Sequence, residues 1–89
     1  MRTIYSLLDT APVGLEERIK DVVSSIPDVS DCHHVRLRSS GPYFFVDVHV
    51  LIDGDKTLKE AHLLTEKIEL KIQEMLPNAD VTVHPEPRP

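Results

Sequence analysis

The spacing of apolar residues changes period several times along the chain, and each change marks an element. Leu15, Ile19, Val22, Val23 and Ile26 recur at helical spacing, which predicts a helix over residues 13–26. Glu16 and Glu17 fall in its first turn, where the helix dipole favours acids, and Pro27 stops it. Residues 29–39 read as a strand, and Gly41-Pro42 marks a turn. Residues 43–53 then alternate. Phe44, Val46, Val48, Val50 and Ile52 point one way, and Tyr43, Phe45, Asp47, His49 and Leu51 the other. Two strands around a short Gly-Pro turn make a hairpin. After the Asp53-Gly54-Asp55 loop, Thr57 and Glu60 form a capping box that opens a helix running to about Leu76. Leu58, Ala61, Ile68, Ile72 and Met75 are its expected apolar stripe, and Pro77-Asn78 ends it. Residues 80–86 read as a last strand, with Val81 and Val83 on one face and Thr82, His84 and Glu86 on the other. Residues 1–12 read as a linker. The proline-rich tail, residues 85–89, is expected to be an extended end that cannot continue a ladder.

The order helix, strand, strand, helix, strand predicts an α+β fold. Its natural solution is an αββαβ open sandwich with a three-stranded sheet and both helices on one face. Residues 13–87 form the domain and residues 88–89 a tail. The sheet face away from the helices is left polar and carries Asp47, His49, His84 and Glu86.

Composition narrows the function. With 89 residues this is one small domain. Ten basic against 15 acidic residues give a net charge of -5, which argues against nucleic-acid binding. A single Cys excludes an internal disulfide and suits a reducing compartment. The longest apolar stretch, near Phe44–Ile52, is interrupted by Asp47 and His49, so the chain is expected to be soluble, with no membrane insertion of its own. Five histidines exceed the four aromatics, two Tyr and two Phe, and call for an explanation.

Imidazole and carboxylate are the usual ligands of divalent Zn, Fe, Co and Ni. His49 with Asp47, and His84 with Glu86, each share a face of a strand. The ordinary reading of a lone strand histidine is an exposed surface residue, and the spacing contains neither CxxC nor HExxH. Cys32 beside His33 points to the opposite face of a strand, so the two do not make a nucleophile and base. No other such pair is evident, and an enzyme is not expected. Tyr43, Phe45 and Leu51 make an apolar strip on the polar face, as in a covered surface.

Four runs carry a resemblance: His33-His-Val-Arg-Leu-Arg-Ser-Ser-Gly-Pro42, Phe45-Val-Asp-Val-His49, Leu58-Lys-Glu-Ala-His62 and Asp80-Val-Thr-Val-His84-Pro-Glu-Pro87. In this order they resemble the C-terminal cytosolic domain of cation diffusion facilitator transporters, and look most like bacterial zinc and ferrous-iron efflux pumps. The resemblance implies a metallochaperone-like (ferredoxin-like) fold and a homodimer beneath the transmembrane domain of a parent transporter, on the cytoplasmic side of the inner membrane. It implies Zn2+, with Fe2+ or other divalent metals as alternatives, bound near the dimer interface. The implied metal ligands are His33, His49, His62, His84 and Glu86, the last standing where the family commonly has Asp. Asp9 falls at the family's hinge, where it would form a charge interlock with the transmembrane domain. An ungapped match selects His33. Strand parity, however, sets His33 with core-facing Val35 and Leu37, and His34 with Arg36 and Arg38, so His34 is the alternate. A β-bulge, or a strand starting after His33, would reconcile the two.

Overall fold

A computed structural model describes residues 14–88. Five elements follow one another: α1 (Leu15–Ser24), β1 (Val29–Ser40), β2 (Tyr43–Asp53), α2 (Leu58–Met75) and β3 (Ala79–Arg88). The strands form one sheet in the order β1-β2-β3, with β1 and β2 antiparallel and β2 and β3 parallel. This is the expected αββαβ order. The expected linker, residues 1–12, and Asp9 within it lie outside the described residues.

Local chemistry explains the boundaries. In α2 the Thr57 hydroxyl accepts from the Glu60 backbone N–H, and the Glu60 carboxylate accepts from the Thr57 N–H at 2.8 Å. Two otherwise unpaired helix donors are thereby satisfied. The β1–β2 turn places Gly41 at φ +58, followed by Pro42 with its ring-fixed negative φ, the sign pattern of a II′ hairpin turn. Asp28, in the α1–β1 connection, also takes a left-handed φ of +77, a conformation Asp tolerates better than most residues.

One hydrophobic core lies between the helices and the sheet. Ile19 and Val23 of α1, Ile68 and Ile72 of α2, Cys32 of β1, and Val46, Val48 and Val50 of β2 are essentially inaccessible. Each such aliphatic side chain contributes about 1.5–3 kcal/mol of transfer free energy, which makes this cluster the main stabilising term against chain entropy. The expected stripe of α2 needs one correction. Leu64, rather than Leu58, is buried with Ile68 and Ile72, while Leu58 is 88% exposed. Leu58 follows the cap directly, and the core-facing row begins only with Ala61 and Leu64.

Two further features depart from the sequence reading. The pairing of β1 with β2 slips between Val29 and Asp31, and again between Cys32 and His34. Each slip inserts one extra residue on β1, Ser30 and His33 respectively. In addition, β3 does not stop at the prolines: Pro85 pairs with Val50, Pro87 with Ile52 and Arg88 with Asp53. Residues 85–88 are therefore part of the ladder. Pro85 and Pro87 are two apart on an edge strand, so both proline nitrogens turn to the open edge, where no donor is required.

Candidate metal centre

The two slips determine what the outer sheet face presents. Without a bulge, Cys32 and Leu37 could not both face the core, because they are five positions apart, an odd number. With His33 as the inserted residue, Cys32 opposite Val50 and Val35 opposite Val48 both point inward. His34 then stands opposite His49, which in turn stands opposite His84. A row of three imidazoles crosses the whole sheet on its outer face. The bulged His33 is exposed beside this row. The sequence posed His33 and His34 as alternatives. The bulge puts both on the same face.

Glu86 organises one end of this cluster. Its Oε1 lies 3.1 Å from His33 Nε2, and its Oε2 lies 3.1 Å from His49 Nδ1. A carboxylate only accepts, so both ring nitrogens act as N–H donors, and in a neutral ring the opposite nitrogen carries a lone pair. The hydrogen bond from His49, joined by that from His33 and the charge of both rings, holds the Glu86 carboxyl below its usual range against a smaller opposing effect of desolvation. His49 also stacks on His84, with centroids 4.5 Å apart and planes 13° from parallel. Its contacts with His34, at 5.1 Å, and His33, at 6.0 Å, are edge-on. His84 Nε2 is 4.0 Å from Asp47 Oδ1, too far for a hydrogen bond.

The donor set suits a divalent transition metal. In a tetrahedral zinc site with bonds of ~2.0–2.1 Å, neighbouring donor atoms are about 3.3 Å apart. The two 3.1 Å edges from Glu86 to His33 and His49 are close to that spacing. Among the described residues, no three such side chains converge on a single point. The structure thus brings His33, His34, His49, His84 and Glu86 together. It does not bring in His62, which lies on α2, is 67% exposed, and pairs with Glu66 at 3.4 Å one helical turn on. Cys32 is fully buried, and desolvation, followed by the charge of Asp31, pushes its thiol pKa up.

Beyond the imidazoles, this face carries charged and aromatic side chains together with Leu51 and Thr82. Arg36 stands opposite Asp47, and Arg38 opposite Phe45, with its guanidinium carbon 5.9 Å from the ring centroid. Tyr43 and Phe45 are exposed, at 58% and 41%.

An αββαβ sandwich bearing an imidazole–carboxylate cluster on its free sheet face defines a class, and comparison with known proteins gives that class a name. A family model described as "Cation efflux protein, cytoplasmic domain" matches residues 12–88. The chain belongs to this family, the C-terminal domains of cation diffusion facilitator transporters. Among curated proteins, the cation-efflux pump FieF of Serratia proteamaculans is 41% identical over 85 residues, covering 94% of this chain and 28% of the pump. FieF of Salmonella arizonae is 39% identical with the same coverage. The chain therefore spans little more than a quarter of the length of these relatives, each described as a cation-efflux pump. Among solved structures, a CzrB chain, studied as a zinc transporter, superposes with a TM-score of 0.82 at 27% identity, covering 90% of this chain and all of that one. The cadmium form of a MamM C-terminal domain superposes with a TM-score of 0.78 at 20% identity, covering 86% and 98%, and shares the fold. Among the described residues, no helix is long and apolar enough to cross a membrane.

Proposed function

We propose that this domain is the regulatory module of a cation-efflux transporter, on the cytoplasmic side of the membrane. It binds divalent metal, Zn2+ foremost, on the outer sheet face through His33, His49, His84 and Glu86. It does so near a surface on which two copies pair. The observation that carries this reading is Glu86 bridging His33 and His49 beside His84. His62 points elsewhere within one chain, so a ligand role for it requires a second copy.

The chain's own residues define the switch. Glu86 on β3 contacts rings on β1 and β2, and this holds the three donors close together before any ion arrives. Metal-binding nitrogens must be free of protons, so binding releases protons and weakens as the medium becomes more acidic. A bound divalent ion supplies charge neutralisation and directional bonds across the three strands. If two dimer geometries differ in how well they hold the ligands, the difference in affinity sets the population shift. Residues 1–12 would carry that shift to a transmembrane domain, where proton-coupled transport of metal takes place.

A free-standing metal carrier built on thiol ligands is disfavoured, because Cys32 is sealed in the core. Calorimetry with Zn2+ tests the proposal. The 89-residue chain binds, and the His49→Ala, His84→Ala double variant loses most of its affinity. Absence of binding by the unmodified chain, or equal binding by the double variant, overturns it.

A further inference from the structure

A groove runs along the helix layer and around the end of the sheet, away from the imidazoles. One cavity of about 310 Å3 lies between Val22, Ile26 and Pro27 on one side and the α2 lysines Lys67 and Lys71 on the other. A second, of about 250 Å3, shares Lys67 with it and continues past Leu63 and Glu60 to Lys56 and Asp28. A third, of about 470 Å3, shares Lys56 and Asp28 and ends at Ser30, Asp53 and Arg88. Sequence spacing explains the long wall. Glu60, Leu63, Lys67 and Lys71 recur at intervals of three and four, so they form one row on the face of α2 turned to α1.

The groove holds charge and apolar surface that the fold itself does not use. The chain has a net charge of -5, yet Lys56, Lys67, Lys71 and Arg88 all line this one groove. Its carboxylates are engaged within the chain. Asp28 lies 3.7 Å from Lys56 Nζ, Asp53 accepts from the Asp55 N–H at 2.9 Å, and Glu60 accepts from the Thr57 N–H at 2.8 Å. Lys67, by contrast, makes no ion pair among the described residues. Lys71 stands 4.0 Å from Glu74, beyond hydrogen-bond reach. Beside these cations, Pro27 is exposed and Leu63 is 56% exposed, turned away from the core row of Leu64, Ile68 and Ile72.

We infer that this groove is a docking site for an extended, acidic segment of a partner protein. Its carboxylates meet Lys67, Lys71 and Arg88, and its apolar side chains rest on Pro27 and Leu63. Between Glu60 and Lys71 α2 rises about 16 Å, which an extended chain spans in about five residues, so a short segment fills the long wall. Charge complementarity selects this occupant. Residues 1–13 of the chain itself hold one Arg and one Asp and supply no acidic run. A nucleic acid would set its unbroken row of phosphates against Asp28, Asp53 and Glu60, whereas a peptide can place apolar residues there. The groove lies on the helix layer, so this inference goes beyond the metal reading of the outer face and does not rest on it. It gives the module a second input, from a protein rather than an ion.

The test uses the whole 89-residue chain with a chelator present, so that no metal-dependent effect enters. The probe is a synthetic peptide of about eight residues, alternating Glu and Leu, with blocked ends, and amide NMR of the chain follows its addition. The signals of Ile26, Lys67 and Lys71 move together, and those of His49 and His84 on the outer face stay in place. Added salt weakens binding, as it does for exposed charges. Lys67→Glu with Lys71→Glu weakens it by about tenfold or more, the scale of two exposed charge pairs lost and reversed. Lys59→Glu, the same change at an exposed α2 position outside the groove, leaves it unaltered, and an unchanged urea midpoint shows that each variant is folded. Absence of shifts with the acidic peptide, equal binding by the double variant, or an equal loss in Lys59→Glu overturns the inference. So does tighter binding of the same peptide with Lys in place of Glu, or of a short single-stranded oligonucleotide. Groove signals that move on dilution, or on removal of residues 1–12, with no peptide present show a second copy or the chain's own end in the groove, and overturn it as well. The metal reading stands or falls separately, by the calorimetry with Zn2+.

Discussion

Deleting single residues from β1 offers a sharp test of the bulge. Removal of His33 takes out the inserted residue. Cys32 stays opposite Val50 and His34 opposite His49, so no core side chain changes face. The expected cost is that of a surface change, within about 1 kcal/mol. Removal of Arg36, three residues on, has a different outcome. With the hairpin register held from Leu37 opposite Val46, the bulge is absorbed. Val35 moves to the outer face, and the His34 ring is driven inward beside Val48, which is fully buried. Loss of the half-buried Val35 contributes about 1 kcal/mol, and an unpaired imidazole in the core about 1–3, for a total of about 2–4 kcal/mol. A chain of this size is expected to have only about 4–13 kcal/mol of stability in all, so the difference is large. Urea unfolding with a metal chelator present measures it, the Arg36 deletion shifting the midpoint by about 2 M for a slope of ~1–1.5 kcal/mol/M. Reaction of Cys32 with a thiol reagent gives a second readout, since it remains slow in the His33 deletion. Equal destabilisation by the two deletions, or a Cys32 exposed by loss of His33, would refute the assignment of His33 as the inserted residue.

Three other outcomes are expected. Ile68→Ala empties a fully buried position and costs about 2–5 kcal/mol, read as a lower urea midpoint at unchanged slope. Gly41→Ala meets nothing within 4 Å, so its cost is the left-handed backbone at φ +58 alone, about 1–2 kcal/mol; a larger loss would mean the turn has unseen contacts. The Thr57 backbone N–H holds the Glu60 carboxyl below its ordinary range, so the folded chain binds that proton less readily than the unfolded one. The stability this contributes is present above the ordinary carboxylate pKa and is lost as pH falls through the folded value. Glu60→Gln keeps the acceptor but removes the charge, so its unfolding midpoint declines less steeply in acid; an identical decline would contradict the assignment.

Elements whose signal is local were legible in the sequence. The alternation from Phe44 to Ile52 is a backbone property of one strand, and it predicted both faces of β2. Thr57 and Glu60 marked the start of α2 because a capping box is complete within four residues. What stayed hidden depends on a partner strand. The bulges on β1 exist only relative to β2, although the odd separation of two core apolar residues, Cys32 and Leu37, was a signal that a residue was inserted between them. The tail was misread for the same reason: whether a proline ends a ladder depends on which side of the strand its nitrogen faces. Within the site, the pairs Asp47–His49 and His84–Glu86 were placed on one face correctly. The link from Glu86 to His33 spans 53 residues and needs the parallel pairing of β2 and β3. The resemblance brought His62 into the ligand set, but its place on α2 keeps it out of the cluster within one chain.

The bulges and the edge prolines also govern how copies of the chain can meet. A three-stranded sheet has two open edges, each a template on which another strand could grow. On one edge, Pro85 and Pro87 remove the donors that an incoming strand would need. On the other, the irregularities at Ser30 and His33 break the even repeat that such a strand would have to follow. Both edges therefore resist open-ended, fibre-like growth. The outer face of the sheet carries neither obstacle, and a two-fold contact made there would close on itself and stop at two.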